Sequence, residues 1–86
     1  MTLAAPWSLA HTMIQIFARG VRTIMLEIHE DTTVLDLKNK IWDREGIPAP
    51  RLLVTFAGKL LSDERLLESY GICQESTIYW RVRFGP

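Results

Sequence analysis

The sequence is poor in the residues that hold very small domains together by covalent or metal bonds. It contains one cysteine and two histidines. Cys73 has no second cysteine with which to form an intramolecular disulfide, and this usage fits a reducing compartment, either the cytoplasm or the nucleus. One thiol and two imidazoles also fall short of the four ligands of a structural zinc site. We therefore expect no disulfide, no metal site and no cofactor.

Net charge and long apolar runs are absent as well. Ten Lys and Arg residues balance ten Asp and Glu residues among the 86, so no overall field attracts nucleic acid or an acidic membrane. No apolar run approaches the ~18–20 residues of a membrane-spanning helix. Residues 1–12 are apolar but contain no Lys or Arg, which favours a flexible tail over a secretory signal. The length leaves room for one small globular domain, which we expect to be monomeric.

Apolar residues alternate first with the period of a strand and then with that of a helix. Residues 14–17 and 23–28 are predicted to be two strands joined by a turn that contains Gly20. Thr33 followed by Asp36 matches a capping box, which predicts the start of a helix over residues 34–45.

The second half of the chain is predicted to add strands to the same sheet. Residues 52–56 form the third strand, residues 57–59 a tight turn, and residues 62–71 a loop with a short helical turn. Residues 76–83 alternate strictly and give the clearest strand. One helix and several strands indicate an α+β fold in which the helix covers one face of a sheet.

Two short runs are much more specific than this periodicity. Residues 43–48 read Asp-Arg-Glu-Gly-Ile-Pro, and residues 56–59 read Phe-Ala-Gly-Lys. Together with Gln-Ile-Phe at 15–17 and Glu-Ser-Thr at 75–77, they make the chain resemble the ubiquitin family over residues 13–83. The resemblance implies a ubiquitin-like β-grasp, a mixed sheet packed on one helix in ββαβ-β order. It also implies a domain over residues 13–84, flanked by a tail over 1–12 and a short tail over 85–86.

The resemblance assigns structural roles to several side chains. The Tyr70 hydroxyl is expected to bind the backbone of a loop, and Lys38 is expected to form a partly buried ion pair with Asp63. The expected core consists of Ile16, Phe17, Ile24, Leu26, Ile28, Val34, Leu37, Ile41, Val54, Leu61, Leu67, Ile78 and Trp80.

In the family, outward residues of the third and fifth strands and of the first hairpin form an apolar surface for partners. The corresponding protein-binding candidates here are Val21, Leu53, Thr55, Gly58, Lys59, Tyr79, Arg81 and Arg83. Thr55 replaces the central isoleucine of that surface and Arg81 replaces a valine, so the surface is more polar and more basic. It is either a binding face or an ordinary solvated sheet face.

A second candidate surface lies on the predicted helix. Leu35 and Trp42 are seven residues apart and flank the buried stripe, where the family has polar residues. An exposed Trp–Leu pair suggests a partner site. The alternative is that the apolar residues of segment 1–12 fold back and cover it.

Conjugation as a modifier is not expected. The chain ends Arg-Phe-Gly-Pro at 83–86, without the glycine pair through which ubiquitin is joined to its targets, unless the native chain continues. Its lysines are Lys38, Lys40 and Lys59, of which Lys59 matches the family's main chain-forming position.

No set of catalytic residues is predicted, because Cys73 has only His11 and His29 as possible bases. The sequence therefore indicates a non-catalytic interaction domain in ubiquitin-related signalling or degradation. Its expected partners are ubiquitin-binding domains and ubiquitin-pathway or proteasome-associated proteins. The alternative is a protein modifier that is activated and conjugated through a processed C-terminal glycine.

Overall fold

The computed structural model describes residues 13–29 and 31–83; the predicted tails at 1–12 and 85–86 lie outside them. Within these described residues, two short 3-10 helices, Ala49–Arg51 and Leu67–Tyr70, accompany one α-helix and five strands. These elements are β1 (Met13–Arg19), β2 (Thr23–His29), α1 (Val34–Glu45), β3 (Leu52–Phe56), β4 (Lys59–Leu60) and β5 (Thr77–Val82).

The strands form one mixed sheet in the order β2-β1-β5-β3-β4. β1 pairs antiparallel with β2 and parallel with β5, while β5 pairs antiparallel with β3. The helix covers one face of this sheet. This is the α+β arrangement that the sequence predicts, with the first and last strands side by side at its centre.

Helix α1 begins and ends where the capping residues predict. The Thr33 hydroxyl accepts a hydrogen bond from the Asp36 amide at 3.1 Å, and the Asp36 carboxylate accepts one from the Thr33 amide at 3.1 Å. Gly46 has φ of 75°, and its N–H donates to the Trp42 carbonyl at 2.8 Å. A left-handed residue of this kind ends a helix at little cost only when it is glycine.

The core lies between α1 and the sheet and contains the predicted side chains with one exception. Phe17 is half-buried, since β1 turns Ile16 and Ala18 towards the helix and Phe17 to the opposite face. The prediction that Phe17 belongs to the core is therefore wrong, because successive side chains of a strand alternate between faces. Four buried hydrophobic residues were not predicted: Ala18, Ala49, Leu52 and Ile72.

Two expected polar contacts are confirmed. Lys38 Nζ lies 2.6 Å from an Asp63 carboxylate oxygen, and the Lys38 side chain is only 10% exposed. The Tyr70 hydroxyl accepts a hydrogen bond from the Ser62 amide at 2.9 Å. The first contact attaches the long segment between β4 and β5 to α1, and the second joins two parts of that segment to each other. Within the residues described, no helix is long and apolar enough to cross a membrane.

Candidate protein-interaction surface

The outward face of β3 and β5 brings four predicted site residues together. Leu53 lies opposite Arg81, and Thr55 lies opposite Tyr79, in the antiparallel pairing of the two strands. Their neighbours in each strand are buried against the helix, so these four side chains point away from it. We call this group, Leu53, Thr55, Tyr79 and Arg81, the sheet surface.

A groove lies beside the sheet surface, between β5 and the tip of the β1–β2 hairpin. Its volume is about 670 Å³, and its lining is mostly apolar. Val21 at the hairpin tip is 80% exposed, and Tyr79 on the facing strand is 51% exposed. Arg19 and Arg81 also line the groove. An apolar side chain of a partner could enter between Val21 and Tyr79 while two guanidinium groups remain beside it.

Two residues that sequence reasoning missed extend the sheet surface on either side. Arg19 of β1 lies next to Tyr79 in the parallel pairing, and Leu60 of β4 lies opposite Thr55. Leu60 is 61% exposed. The row Arg19–Tyr79–Thr55–Leu60 therefore crosses four strands. The alternation of β1 in the sequence already predicts that Arg19 points outward. It does not show that Arg19 lies beside Tyr79, because that neighbour comes from the distant strand β5.

The structure separates the remaining predicted residues from this row. Gly58 lies in the turn between β3 and β4, and Lys59 is the first residue of β4, the edge strand. Arg83 lies at the other end of the β3–β5 pair, where its amide donates to the Arg51 carbonyl at 2.6 Å. Arg51 in turn donates from Nη1 to the Arg83 carbonyl at 3.3 Å, so a further cation that was not predicted stands beside Arg83.

The charged side chains that border the groove and the adjacent edge strand β4 are basic. Among residues 13–29 and 31–83, Arg19, Lys59 and Arg81 form no ion pair. Glu27 is an outward-facing carboxylate on the edge strand β2, where it lies opposite Gln15 of β1 and two strands away from β5. The neutral net charge of the chain therefore conceals a local basic surface, which complements an acidic partner.

Leu35 and Trp42 lie on the other side of the molecule, on the helix that covers the inner face of the sheet. Their side chains are 43% and 44% exposed, as their position beside the buried stripe predicts. The two predicted surfaces are thus separate, and one partner segment cannot occupy both.

The possible chemistry of other side chains is limited. Cys73 is exposed in the turn before β5, with the Ser76 hydroxyl 3.6 Å from its sulfur. No three His, Cys, Asp or Glu side chains come together as metal ligands in the part of the chain that the structure describes.

A sequence profile decides the family. The profile described as "Ubiquitin family" matches residues 14–84, which is most of the chain. The chain belongs to the ubiquitin family. Its fold is accordingly the ubiquitin-like β-grasp.

Three relatives illustrate the range of proteins that contain this domain. E3 ubiquitin-protein ligase parkin of Mus musculus is 35% identical over 54 residues, which are 63% of this chain and 12% of parkin. The ubiquitin-like protein 1-ribosomal protein eS31 fusion protein of Caenorhabditis elegans is 41% identical over 58 residues, 67% of this chain and 33% of the fusion protein. The UV excision repair protein RAD23 homolog of Dictyostelium discoideum is 32% identical over 59 residues, 69% of this chain and 17% of that protein. The similarity thus spans a third or less of the length of each relative.

Proposed function

We propose that this ubiquitin-like domain is a non-catalytic docking module of the ubiquitin pathway and that it binds partners through the sheet surface. The observation that carries the proposal is the groove between Val21 and Tyr79, bordered by Arg19 and Arg81. The similarity to a ubiquitin ligase and to a RAD23 homolog supports the assignment to this pathway. The proposed partners are ubiquitin-binding domains and ubiquitin-pathway or proteasome-associated proteins.

The chemistry of the groove indicates what a partner must offer. Tyrosine and arginine are the residues most often found as strong contributors to binding, since they combine a large contact area with hydrogen-bonding ends. An apolar side chain between Val21 and Tyr79 would lose water, and carboxylates beside it would meet Arg19 and Arg81. We therefore propose a segment with an apolar anchor flanked by Asp or Glu.

Binding should be tested by NMR titration of the labelled chain with a panel of ubiquitin-binding domains. We expect shift changes at Thr55, Tyr79 and Arg81, and a loss of affinity of about tenfold or more in Tyr79→Ala, as for a central anchor. Arg44→Ala is the matched control, because it removes an exposed arginine from the helix side and should leave affinity unchanged. Shift changes confined to α1, with normal binding by the Tyr79 variant, would exclude the sheet surface.

The finer proposal is that the domain acts without being conjugated. The lysine inventory supports a limited capacity to carry chains, since Lys38 is engaged by Asp63, although Lys59 is exposed at a family chain-forming position. The similarity to a ubiquitin-like protein 1 fusion favours the alternative, a modifier that is released from a precursor.

A thioester assay separates these two functions. The full chain and a version ending at Gly85 would be incubated with ubiquitin-family activating enzymes and ATP. We expect no reducible adduct from either form, whereas an adduct on an activating enzyme would establish a modifier.

We also propose that the domain is monomeric and works in the cytoplasm or the nucleus. The exposed thiol of Cys73 supports a reducing environment, because a free surface cysteine persists there. Fluorescence microscopy of a tagged chain and sedimentation of the purified protein would test the two statements separately.

A further inference from the structure

Helix α1 carries an apolar stripe that packing against the sheet does not use. Leu35 and Trp42 are both nearly half exposed. Seven residues correspond to almost two helical turns, so the two side chains lie on the same side of the helix, about 10 Å apart along its axis. An exposed tryptophan in line with a leucine is an unusual use of a surface helix and requires a cover.

The helix surface between Leu35 and Trp42 carries no unpaired charge among the side chains that lie directly between them. Asn39, exposed and uncharged, lies beside it on the solvent side. Lys38 follows Leu35 by three residues and precedes Trp42 by four, so it lies between them on the helix surface. Its ammonium group is paired with Asp63. A segment that lies along the helix between Leu35 and Trp42 therefore meets the uncharged Asn39 and the paired Lys38 there, and an uncharged apolar segment suits this position best.

Residues 1–12 of the same chain have this composition. They include no Lys, Arg, Asp or Glu, and their apolar members include Leu3, Trp7 and Leu9. Twelve residues can span up to about 40 Å, several times the length of the stripe.

The point of attachment favours this occupant. Segment 1–12 joins the domain at Met13, which pairs with His29 at the end of β2. The chain passes from His29 to the helix cap at Thr33 in four residues, so Met13 lies at the end of the sheet from which α1 is entered. A tethered segment is present at an effective concentration in the millimolar range, which a separate partner would have to exceed.

We propose that residues 1–12 pack along α1 and cover Leu35 and Trp42 through Trp7 and its apolar neighbours. This inference concerns the face opposite the sheet surface and does not depend on the proposed function. It leaves the sheet surface as the free face of the domain.

Paramagnetic relaxation in the full chain tests the proposal. Cys73→Ser removes the native thiol, and Ser8→Cys carries a nitroxide in the middle of the segment. We expect the amide peaks of Leu35, Asn39 and Trp42 to lose most of their intensity. The peaks of Tyr79 and Arg81 on the opposite face should keep theirs. Broadening of the sheet surface, or of neither surface, would overturn the proposal.

Two controls separate packing from mere proximity of a tethered label. The same labelled chain with Leu35→Ser and Trp42→Gln should regain the Asn39 peak, since both replaced side chains are exposed and the fold does not depend on them. Labelled protein without isotope, mixed with isotope-labelled protein without nitroxide, should leave the Asn39 peak unchanged. A persistent loss in the first control, or a loss in the mixed sample that indicates a second copy as occupant, would also overturn the proposal.

Discussion

Gly20 lies so close to Trp80 that a Cβ atom at position 20 would overlap Cε2 of the indole. The backbone at the hairpin tip therefore rests on the tryptophan, whose Nε1 donates to the Ala18 carbonyl at 3.2 Å. Trp80 is 2% exposed and belongs to the core. The contact thus connects the packing of the core to the position of one wall of the groove.

Gly20→Ala should destabilise the domain and displace the hairpin tip. A methyl group inserted against a fixed aromatic ring typically costs about 1–3 kcal/mol, because the backbone has to move. Urea denaturation measures this loss. Val21→Ala at the adjacent exposed position is the control and should change the free energy of unfolding by less than about 0.5 kcal/mol. Equal stability of the two variants would show that the hairpin yields without strain.

The Lys38–Asp63 pair should respond unequally to removal of its two members. Asp63→Ala leaves a nearly buried ammonium group without a partner, and we expect a loss of about 1–3 kcal/mol. Lys38→Met keeps the aliphatic volume and removes the buried charge, so its stability should stay within about 1 kcal/mol of the wild type. Urea denaturation of both variants at one pH provides the comparison. A larger loss in Lys38→Met would assign the contribution to attraction between the charges.

The Ser62 amide donates to the Tyr70 hydroxyl, and this hydrogen bond is the main reason that the pKa of Tyr70 lies below its ordinary value. Partial desolvation opposes the shift, while the Arg65 guanidinium, 4.9 Å from the ring centre, adds to it. Because the folded pKa lies below the unfolded one, the phenolate contributes stability that is fully present above about pH 10 and is lost as the pH falls through the folded pKa.

Tyr70→Phe should remove this contribution to the pH dependence. The difference in melting temperature between wild type and variant is expected to grow as the pH rises towards 10. At neutral pH the variant should still melt lower, since the Ser62 amide loses its acceptor. Thermal unfolding at neutral pH and at several alkaline values measures both effects. A difference that is constant with pH would show that the shift in pKa has no consequence for folding.

Local signals in the sequence predicted the fold well, since they report contacts between near neighbours. Thr33, Asp36 and Gly46 determine the ends of the helix through bonds spanning three or four residues. Phe17 was misplaced because its hydrophobicity outweighed its parity in β1. A large apolar residue can occupy an outward position of a strand, and its hydrophobicity alone does not distinguish it from a core residue.

The site was only partly predictable, because its residues meet through long-range pairing. Arg19 and Tyr79 are neighbours in a parallel pair between the first and last strands. Leu60 joins them only through the pairing of β4 with β3. No local sequence pattern shows which strands lie side by side. The zero net charge of the chain also gives no indication that the cations of this surface are unpaired.

The replacement of apolar family residues by Thr55 and Arg81 leads to a gain-of-binding prediction. Thr55→Ile combined with Arg81→Val should increase affinity for a ubiquitin-binding domain that recognises the aliphatic patch of ubiquitin. Thr55 and Arg81 lie on the outward face of adjacent strands, one step apart in their pairing, so both changes add apolar surface to one patch. Burial of two aliphatic side chains at the centre of an interface is expected to strengthen binding by about tenfold or more.

Calorimetric titration of wild type and double variant with one such domain measures the change. The control introduces the same side chains on α1, as Asn39→Ile with Arg44→Val, which adds similar apolar surface away from the sheet surface and should leave affinity unchanged. An equal gain in both double variants would indicate general hydrophobic attraction. No gain in Thr55→Ile/Arg81→Val, together with lost binding of an acidic partner, would show that the arginines of this domain, and not its apolar side chains, determine which partners it accepts.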